Sequence, residues 1–470
     1  MTLAFRLAAA ASCVRPGGRV DEDGNACSEY ILQVQACKGG SSVVAAFGDR
    51  SIRMYARDSL RLQLELNGQA APLTQLVCSE KDANAVHSSG EDGRVRSWDM
   101  RAPSRLPVTE FAAGQKEAWC LALGFDDWLW AVGVGTGVTF FDRRKTATAA
   151  AATAAAGGGG DTSSSFAVTG ATTRAAASSA CTGTVSAPPP TAVGAYADCH
   201  TDDVTQLVFR PGAPTQLLTA GEDGIMCLYD TGVADEEEAL LCIFNAECPV
   251  RRAGFFGGGG SGGGGSGGGC GFSLGGPAIV AGAAEGIWCC TGSEGLNVWH
   301  APSGQRVANY PDVRETGRRW GCPLDYLVGC HYSDDSGSVD GQLRLVAGSF
   351  DGQLMVADVL PDGLAPAALL QGSGRHTDQV RDFCWMHDSF GGFGGSGGGG
   401  AAVVVTGGED ARLCTWTTAP EAASFGGGGG ASRGSNVGEG GSGGAVRTPH
   451  RADRQGDNRR KNAFQPYGRP

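Results

Sequence analysis

The chain has no CxxC pair, no secretory leader, and no apolar run near the roughly 18 residues that cross a bilayer. The first absence leaves 17 cysteines, an odd number, without disulfide or zinc spacing. Cys289-Cys290 and the stretch GCHYSDD lack that spacing too. The cysteines read as reduced thiols of an intracellular protein. Cys227, Cys384 and Cys414, at alternating strand positions, read as small buried hydrophobes. The missing apolar run excludes a transmembrane helix, and no membrane partner is expected. GxxxxGKS/T, HExxH and a strand-to-helix GxSxG elbow are absent as well. GxGxxG is matched only inside polyglycine, where no apolar strand leads into a helix. No catalytic residue, metal ligand, cofactor or small-molecule substrate is expected, and the chain reads as a non-enzyme.

What the chain has in excess is glycine, 78 of 470 residues, gathered into tracts. Such tracts cannot bury enough apolar surface to offset their ordering entropy. Flexible Gly/Ala-rich inserts are therefore expected at about 145–192, 257–276 and 389–400, inside one domain covering 1–424. A Gly-rich linker and disordered tail are expected over 425–470. The rest, roughly 340 residues, is ample for one large core. It consists of short Val, Leu, Ile, Trp and Phe runs between Gly/Asp turns, the composition of an all-β fold.

Charge is unevenly placed. The net charge is −12, yet the last 25 residues carry seven Arg/Lys against two Asp. An acidic body argues against direct nucleic-acid binding. The basic tail reads either as a nuclear-import signal or as a solubilising tail, so cytoplasm and nucleus both stand. Three arginines and no acid precede Asp21, which fits an organelle transit peptide or, in the competing reading, a strand closing the fold from residues near 3–9. The acidic stretch VADEEEALL, 233–241, reads as a solvated loop rather than a cation site.

Two stretches decide the architecture. HTDDVTQLVFRP (200–211) and HTDQVRDFCWMH (376–387) share their start and their apolar pattern. A catalytic site is rarely duplicated together with its flanks, whereas a structural repeat always is. SSGEDGRVRSWD, TAGEDGIMCLYD and TGGEDARLCTW set the frame, and AAFGDRSIRMY, GVGTGVTFFD, CTGSEGLNVWH and AGSFDGQLMVAD are weaker copies. The residue at the Trp position falls at 55, 98, 141, 229, 299, 357 (here Ala357) and 416, seven copies in all, with first steps of 43 residues. In copy two, LTQLVC, AVHSSG, RVRSWD and VTEFAAG read as four strands, with the Asp-Gly turn suited to a tight hairpin. Alternation in RVRSW places Val95 on one face and Arg94 and Arg96 on the other.

A period of about 40–45 residues ending in Trp-Asp resembles the WD40 repeat. The resemblance implies a seven-bladed β-propeller, each blade a four-stranded antiparallel sheet. It implies that His376, Thr406, Asp410 and Trp416 hold the structural tetrad of copy seven, and His200, Thr219, Asp223 and Tyr229 that of copy four. His200 then braces a blade, and its neighbours Asp202 and Asp203 are surface residues. Copy two has Ser88, Asp92 and Trp98 but only Asn67-Gly68 before them, and copy three lacks the Asp and has Phe141. Those two blades are expected to depend on packing alone. Copy two ends in Trp98-Asp99-Met100-Arg101, and Phe141-Asp142-Arg143-Arg144 is its degraded second form. This ending resembles the box by which some propellers dock on the adaptor of cullin-type ubiquitin ligases. Trp98, Asp99, Arg101, Arg143 and Arg144 are thus candidate partner-binding residues. The expected work is that of a monomeric, non-catalytic scaffold for other proteins. The alternatives are a ubiquitin-ligase substrate receptor docking through that box, and an enzyme with a site in the axial channel.

Overall fold

The Asp-Gly turns set the strand boundaries. In the turn of copy two Gly93 has φ +69°, and a Cβ there would lie 2.4 Å from the Lys116 carbonyl oxygen. Only glycine fits that place. The same turn in copy seven carries Ala411 at φ 54°, a strained exception. Each turn joins two strands in antiparallel register and passes them to a third and a fourth. The computed structural model describes residues 5–14, 29–37, 40–146, 188–257, 285–333, 342–360, 362–387 and 402–418.

The strands form seven separate four-stranded sheets, each a blade. Blade two is Leu73–Cys78, Ala85–Gly90, Arg94–Asp99 and Thr109–Ala112, in that order. Blades one and three to six are likewise consecutive in sequence. Blade seven is the exception: Val380–His387, Ala402–Gly408 and Arg412–Thr418 take their fourth strand from Phe5–Ser12. The pairing runs from Phe5↔Thr418 to Ser12↔Arg412, with a register shift between Leu7 and Ala9. The N-terminal segment therefore closes the ring as a strand. This removes the edge that Arg412–Thr418 would otherwise expose.

Apolar side chains fill the spaces between blades. Val44, Ile52, Leu66, Leu76 and Trp98 pack together from blades one and two. Val95, Phe111, Leu121, Trp130 and Phe141 do so from blades two and three. A second device ties the innermost strands to one another. The third residue of each of several inner strands accepts a hydrogen bond from the next blade's backbone. Gln75 Oε1 takes Leu121 N at 3.0 Å, Gln206 Oε1 takes Ala253 N at 2.7 Å, and Asp382 Oδ2 takes Val34 N at 2.8 Å. The last of these bonds crosses the closure from blade seven to blade one.

Three expectations change. Arg94 is exposed, but Arg96 is 2% exposed, because blades cover both faces of the sheet and Asp92 and Glu110 pair its guanidinium. Residues 236–239 are not a loop but one helical turn, Glu236–Ala239, capped by Asp235, whose carboxylate accepts from the Glu237 and Glu238 N–H groups. Glu236 is drawn inward and accepts from Ala197 N at 2.7 Å. The third strand of blade three runs to Thr146 and pairs with Pro190, so the margins of the expected 145–192 insert belong to the sheet. The remainder of that insert, nearly all of 257–276 and 389–400, and the whole of 425–470 lie outside the described residues. Among the described residues no helix is long and apolar enough to cross a membrane.

Candidate functional site

Two sets of polar residues stand out against this apolar packing, one inside the blades and one on the rim. Inside blade seven, His376 precedes the first strand, Thr406 lies on the second, Asp410 in the turn and Trp416 on the third. The Trp416 indole N–H donates to Thr406 Oγ1 at 3.0 Å. His376 Nε2 lies 2.8 Å from that hydroxyl, and His376 Nδ1 lies 3.0 Å from Asp410 Oδ1. Burial opposes ionisation of Asp410, but hydrogen bonds from His376 and from the Thr377 and Arg412 N–H groups outweigh it and hold the carboxyl below its usual range. The result is one continuous chain that links the approach to the first strand, the second strand, the turn and the third strand. A satisfied chain of this kind fixes a blade's geometry, since each broken link orphans a buried group.

Blade four repeats most of it. His200 Nδ1 lies 3.1 Å from Asp223 Oδ1, and His200 Nε2 lies 2.8 Å from Thr219 Oγ1. Tyr229 is not brought into the chain. Its ring packs on Tyr196 at 5.0 Å, and its hydroxyl faces the Cys199 and Cys227 thiols. A phenol carries its donor at the tip of the ring, so it cannot present it where an indole N–H sits. Asp202 and Asp203 are placed on the approach to the first strand, where the Asp203 carbonyl accepts from Glu222 N at 3.0 Å.

Blade two, expected to depend on packing alone, is also held by polar contacts, and blade one shares one of them. Gln69 takes the histidine place in blade two and accepts from Ser88 Oγ at 2.9 Å. The Trp98 indole N–H donates instead to the Asn67 carbonyl at 2.8 Å. The turn aspartate is paired by an arginine four residues on: Asp92 by Arg96, and in blade one Asp49 by Arg53 at 2.7 Å. Spacing carries the missed signal. Gln69 lies four residues before Leu73 as His200 lies before Val204, and Arg53 and Arg96 stand where the histidine-bearing copies have Cys227 and Cys414. In blades one and two, which lack the histidine, an arginine neutralises the turn carboxylate from the other side.

On the rim, Asp99 Oδ1 accepts from the Arg101 backbone N–H at 2.9 Å and from Arg101 Nε at 2.9 Å, and Asp99 Oδ2 from Nη2 at 2.9 Å. That grip holds the Asp99 carboxyl below the usual carboxylate range. Asp142 grips Arg144 in the same way, at 2.9, 3.1 and 3.0 Å. The two Arg side chains are 61% and 60% exposed, while Trp98 is 1% exposed. Trp98, Asp99, Arg101 and Arg143 line one pocket of about 380 Å³ between blades two and three. Arg144 does not join them, because its guanidinium lies over the Trp128 ring at 3.5 Å. Among the described residues no group of three His, Cys, Asp or Glu could hold a metal ion.

No family model matches the chain. It is similar to the WD repeat-containing protein GTS1 of Arabidopsis thaliana, 24% identical over 376 residues that cover 78% of this chain and 77% of that protein. It is also similar to the WD repeat-containing protein 89 homolog of Dictyostelium discoideum, 29% identical over 191 residues that cover 40% of this chain and 45% of that protein.

Proposed function

We propose, from its being a seven-bladed propeller of WD40 type, that the chain is a non-catalytic platform that holds other proteins together. The observation that carries this is where its polar side chains are committed. In blades four and seven the buried His200 and His376 are engaged with their turn carboxylates inside the blade, in blade seven as Trp416–Thr406–His376–Asp410. The exposed charged pairs, by contrast, sit on the rim of a rigid ring. Rigid scaffolds with variable rims suit recognition, because little conformational entropy is lost on binding. Function does not follow from the fold, so it is argued here from those residues.

A second reading, a substrate receptor of a cullin-type ubiquitin ligase, is favoured by the recurrence of one Asp–x–Arg geometry on adjacent blades. Asp99–Arg101 and Asp142–Arg144 present two pre-oriented guanidinium groups with solvent-facing edges. Each keeps donors available for a partner carboxylate, although docking has to compete with the internal pairing. Replacing Arg101 and Arg144 together by Ala is expected to lower the melting temperature only modestly, since both guanidinium groups are exposed although Arg144 also pairs the buried Asp142. The same double variant should lose the ligase adaptor from a pull-down, because removing charge-pairing anchors costs about 2 kcal/mol or more. Wild-type protein that recovers no adaptor under mild salt eliminates this reading and leaves the platform.

A further inference from the structure

Six of the seven outer blade strands carry a residue that keeps other chains from pairing with their edge. These residues are Arg6, Glu65, Glu110, Pro190, Arg306 and Pro366, on blades seven, one, two, three, five and six. Charged side chains and proline are the usual protection of an exposed edge. Blade four is the exception. Its outer strand, Leu240–Asn245, reads LLCIFN and holds no charge, proline or glycine. No strand lies beyond it in the sheet. Leu241 is 50% and Ile243 55% exposed, and no other outer strand among the described residues exposes two large apolar side chains. The register shift of this strand falls at Leu241, so Cys242–Asn245 pair one to one with Leu228, Cys227, Met226 and Ile225. Such a regular edge turns alternate N–H and C=O groups outward, where another strand can meet them.

The charges beside the strand narrow what fits it. The helical turn Glu236–Ala239 leads straight into Leu240. Glu236 is engaged by Ala197 N, but Glu237 and Glu238 are exposed and have no ion pair among the described residues. Past the other end of the strand, Glu247 is paired with Arg306 at 3.2 Å. A second copy of this chain fits poorly. Antiparallel pairing of two such strands about their middle sets Glu238 of each against Glu247 of the other, and parallel pairing sets like acids side by side. A basic segment instead finds uncommitted carboxylates at one end of the strand, and that fixes its direction.

We propose that the outer edge of blade four takes up an extended segment of a partner protein as a fifth, antiparallel strand. The segment has apolar residues at alternate positions and Lys or Arg at its C-terminal end. Main-chain hydrogen bonds to Cys242–Asn245 hold it, Leu241 and Ile243 receive its apolar side chains, and Glu237 and Glu238 its cations. In the antiparallel sense the end of the segment lies beside the start of Leu240–Asn245, where those two carboxylates are. This inference rests on the platform reading and names one of its contact surfaces; it does not depend on ubiquitin-ligase docking.

The test uses the full chain at low ionic strength, with amide hydrogen exchange read by mass spectrometry. The probe is the capped hexapeptide acetyl-Thr-Val-Thr-Val-Lys-Lys-amide. One control carries Glu-Glu in place of Lys-Lys. A second is N-methylated at its two central residues, so that both of its edges lose a donor. The basic probe is expected to slow exchange saturably in fragments covering 240–246. Affinity is expected to fall about tenfold or more for the acidic control, and the response to the N-methylated control to vanish. Ile243→Lys gives blade four the protection of the other outer strands and should abolish the response, with melting within about 2 °C of wild type. Glu237→Lys with Glu238→Lys should invert the preference between the basic and acidic peptides. No slowing at roughly 5 mM basic probe overturns the proposal. So does an equal response to the N-methylated peptide, equal affinity for the basic and acidic peptides, or an undiminished response in Ile243→Lys. Slowing in the free chain that grows with protein concentration makes the occupant a second copy. Slowing already complete at every concentration means the edge is covered, and either result overturns the proposal. If the edge fails while wild-type protein still recovers partners, the platform reading stands alone.

Discussion

Deleting residues 1–14 is expected to lower the melting temperature by more than about 10 °C and to make the chain self-associate. The deletion removes a whole strand from blade seven, including the pairs from Phe5↔Thr418 to Ser12↔Arg412. It uncovers Trp385, against which Phe5 packs edge-on at 5.5 Å. It also removes the Cys13 carbonyl that accepts from Arg53 at 2.7 Å, a link between the closing strand and blade one. Several net hydrogen bonds of about 1 kcal/mol each and one buried aromatic of about 2–3 kcal/mol go together. At roughly 2–4 °C per kcal/mol for a domain of this size or smaller, the shift is large. The freed edge of Arg412–Thr418 then becomes a template for another chain. Differential scanning calorimetry and light scattering read the two effects. A deletion that melts within about 2 °C of wild type and self-associates no more than wild type would show that the strand is an accessory rather than the closure.

Asp49→Ala is expected to cost roughly 3–5 kcal/mol, the usual penalty for removing one partner of a buried ion pair. Arg53 is 2% exposed and Asp49 1%, so the guanidinium left behind cannot reach water. Glu29 at 3.9 Å is too distant to replace the lost partner fully. The penalty comes from the orphaned charge rather than from the worth of the pair. Changing both residues to apolar ones, Asp49→Ala with Arg53→Met, should therefore recover most of the loss. The same logic grades the other turns. Asp410→Ala, which strands the ring nitrogen of His376 and the Thr377 and Arg412 N–H groups, is expected to cost about 1–3 kcal/mol. Asp351→Ala should cost less, since the Asp351 side chain is 57% exposed, hydrogen-bonds Ser349 and Gln353 in its own turn, and meets Arg375 at 3.8 Å. Urea melts of the three single variants and the double variant decide it. Equal shifts for Asp410 and Asp351, or a double variant as unstable as Asp49→Ala, would contradict this account of the turns.

Much of this architecture is legible in the residues, because turn chemistry is local. Asp-Gly at a hairpin and an aromatic six residues later can be read without tertiary contacts; copies two and four carry both, and the weaker copies are placed by their spacing from these. The use of residues near 3–9 as the closing strand follows from the lack of a strand candidate after Trp416, and the structure has that strand at Phe5–Ser12. What escapes is chemistry that depends on both faces of a blade being covered. Alternation puts Arg96 outside, yet neighbouring blades bury it beside Asp92. Residue type alone puts Tyr229 in the place of a tryptophan, although the donor position on the ring keeps it out of the Thr219–His200–Asp223 chain. Gln69 is overlooked when a histidine is sought by identity rather than by its distance from the strand. The pocket between blades two and three is the least legible, since its walls come from Trp98, Val108, Trp130 and Pro190 on two blades, and no local pattern joins them.

The central claim is that the folded ring itself holds protein partners. Quantitative affinity purification from cells, comparing wild-type protein with Asp49→Ala and with the 1–14 deletion at matched bait levels, tests it most directly. The account predicts a reproducible partner set with wild-type protein that is depleted about tenfold or more with both ring-damaging variants, as expected when binding requires a pre-organised surface. Recovery of the same partners in the same amounts with all three would contradict it, and would place binding in segments that do not need the propeller.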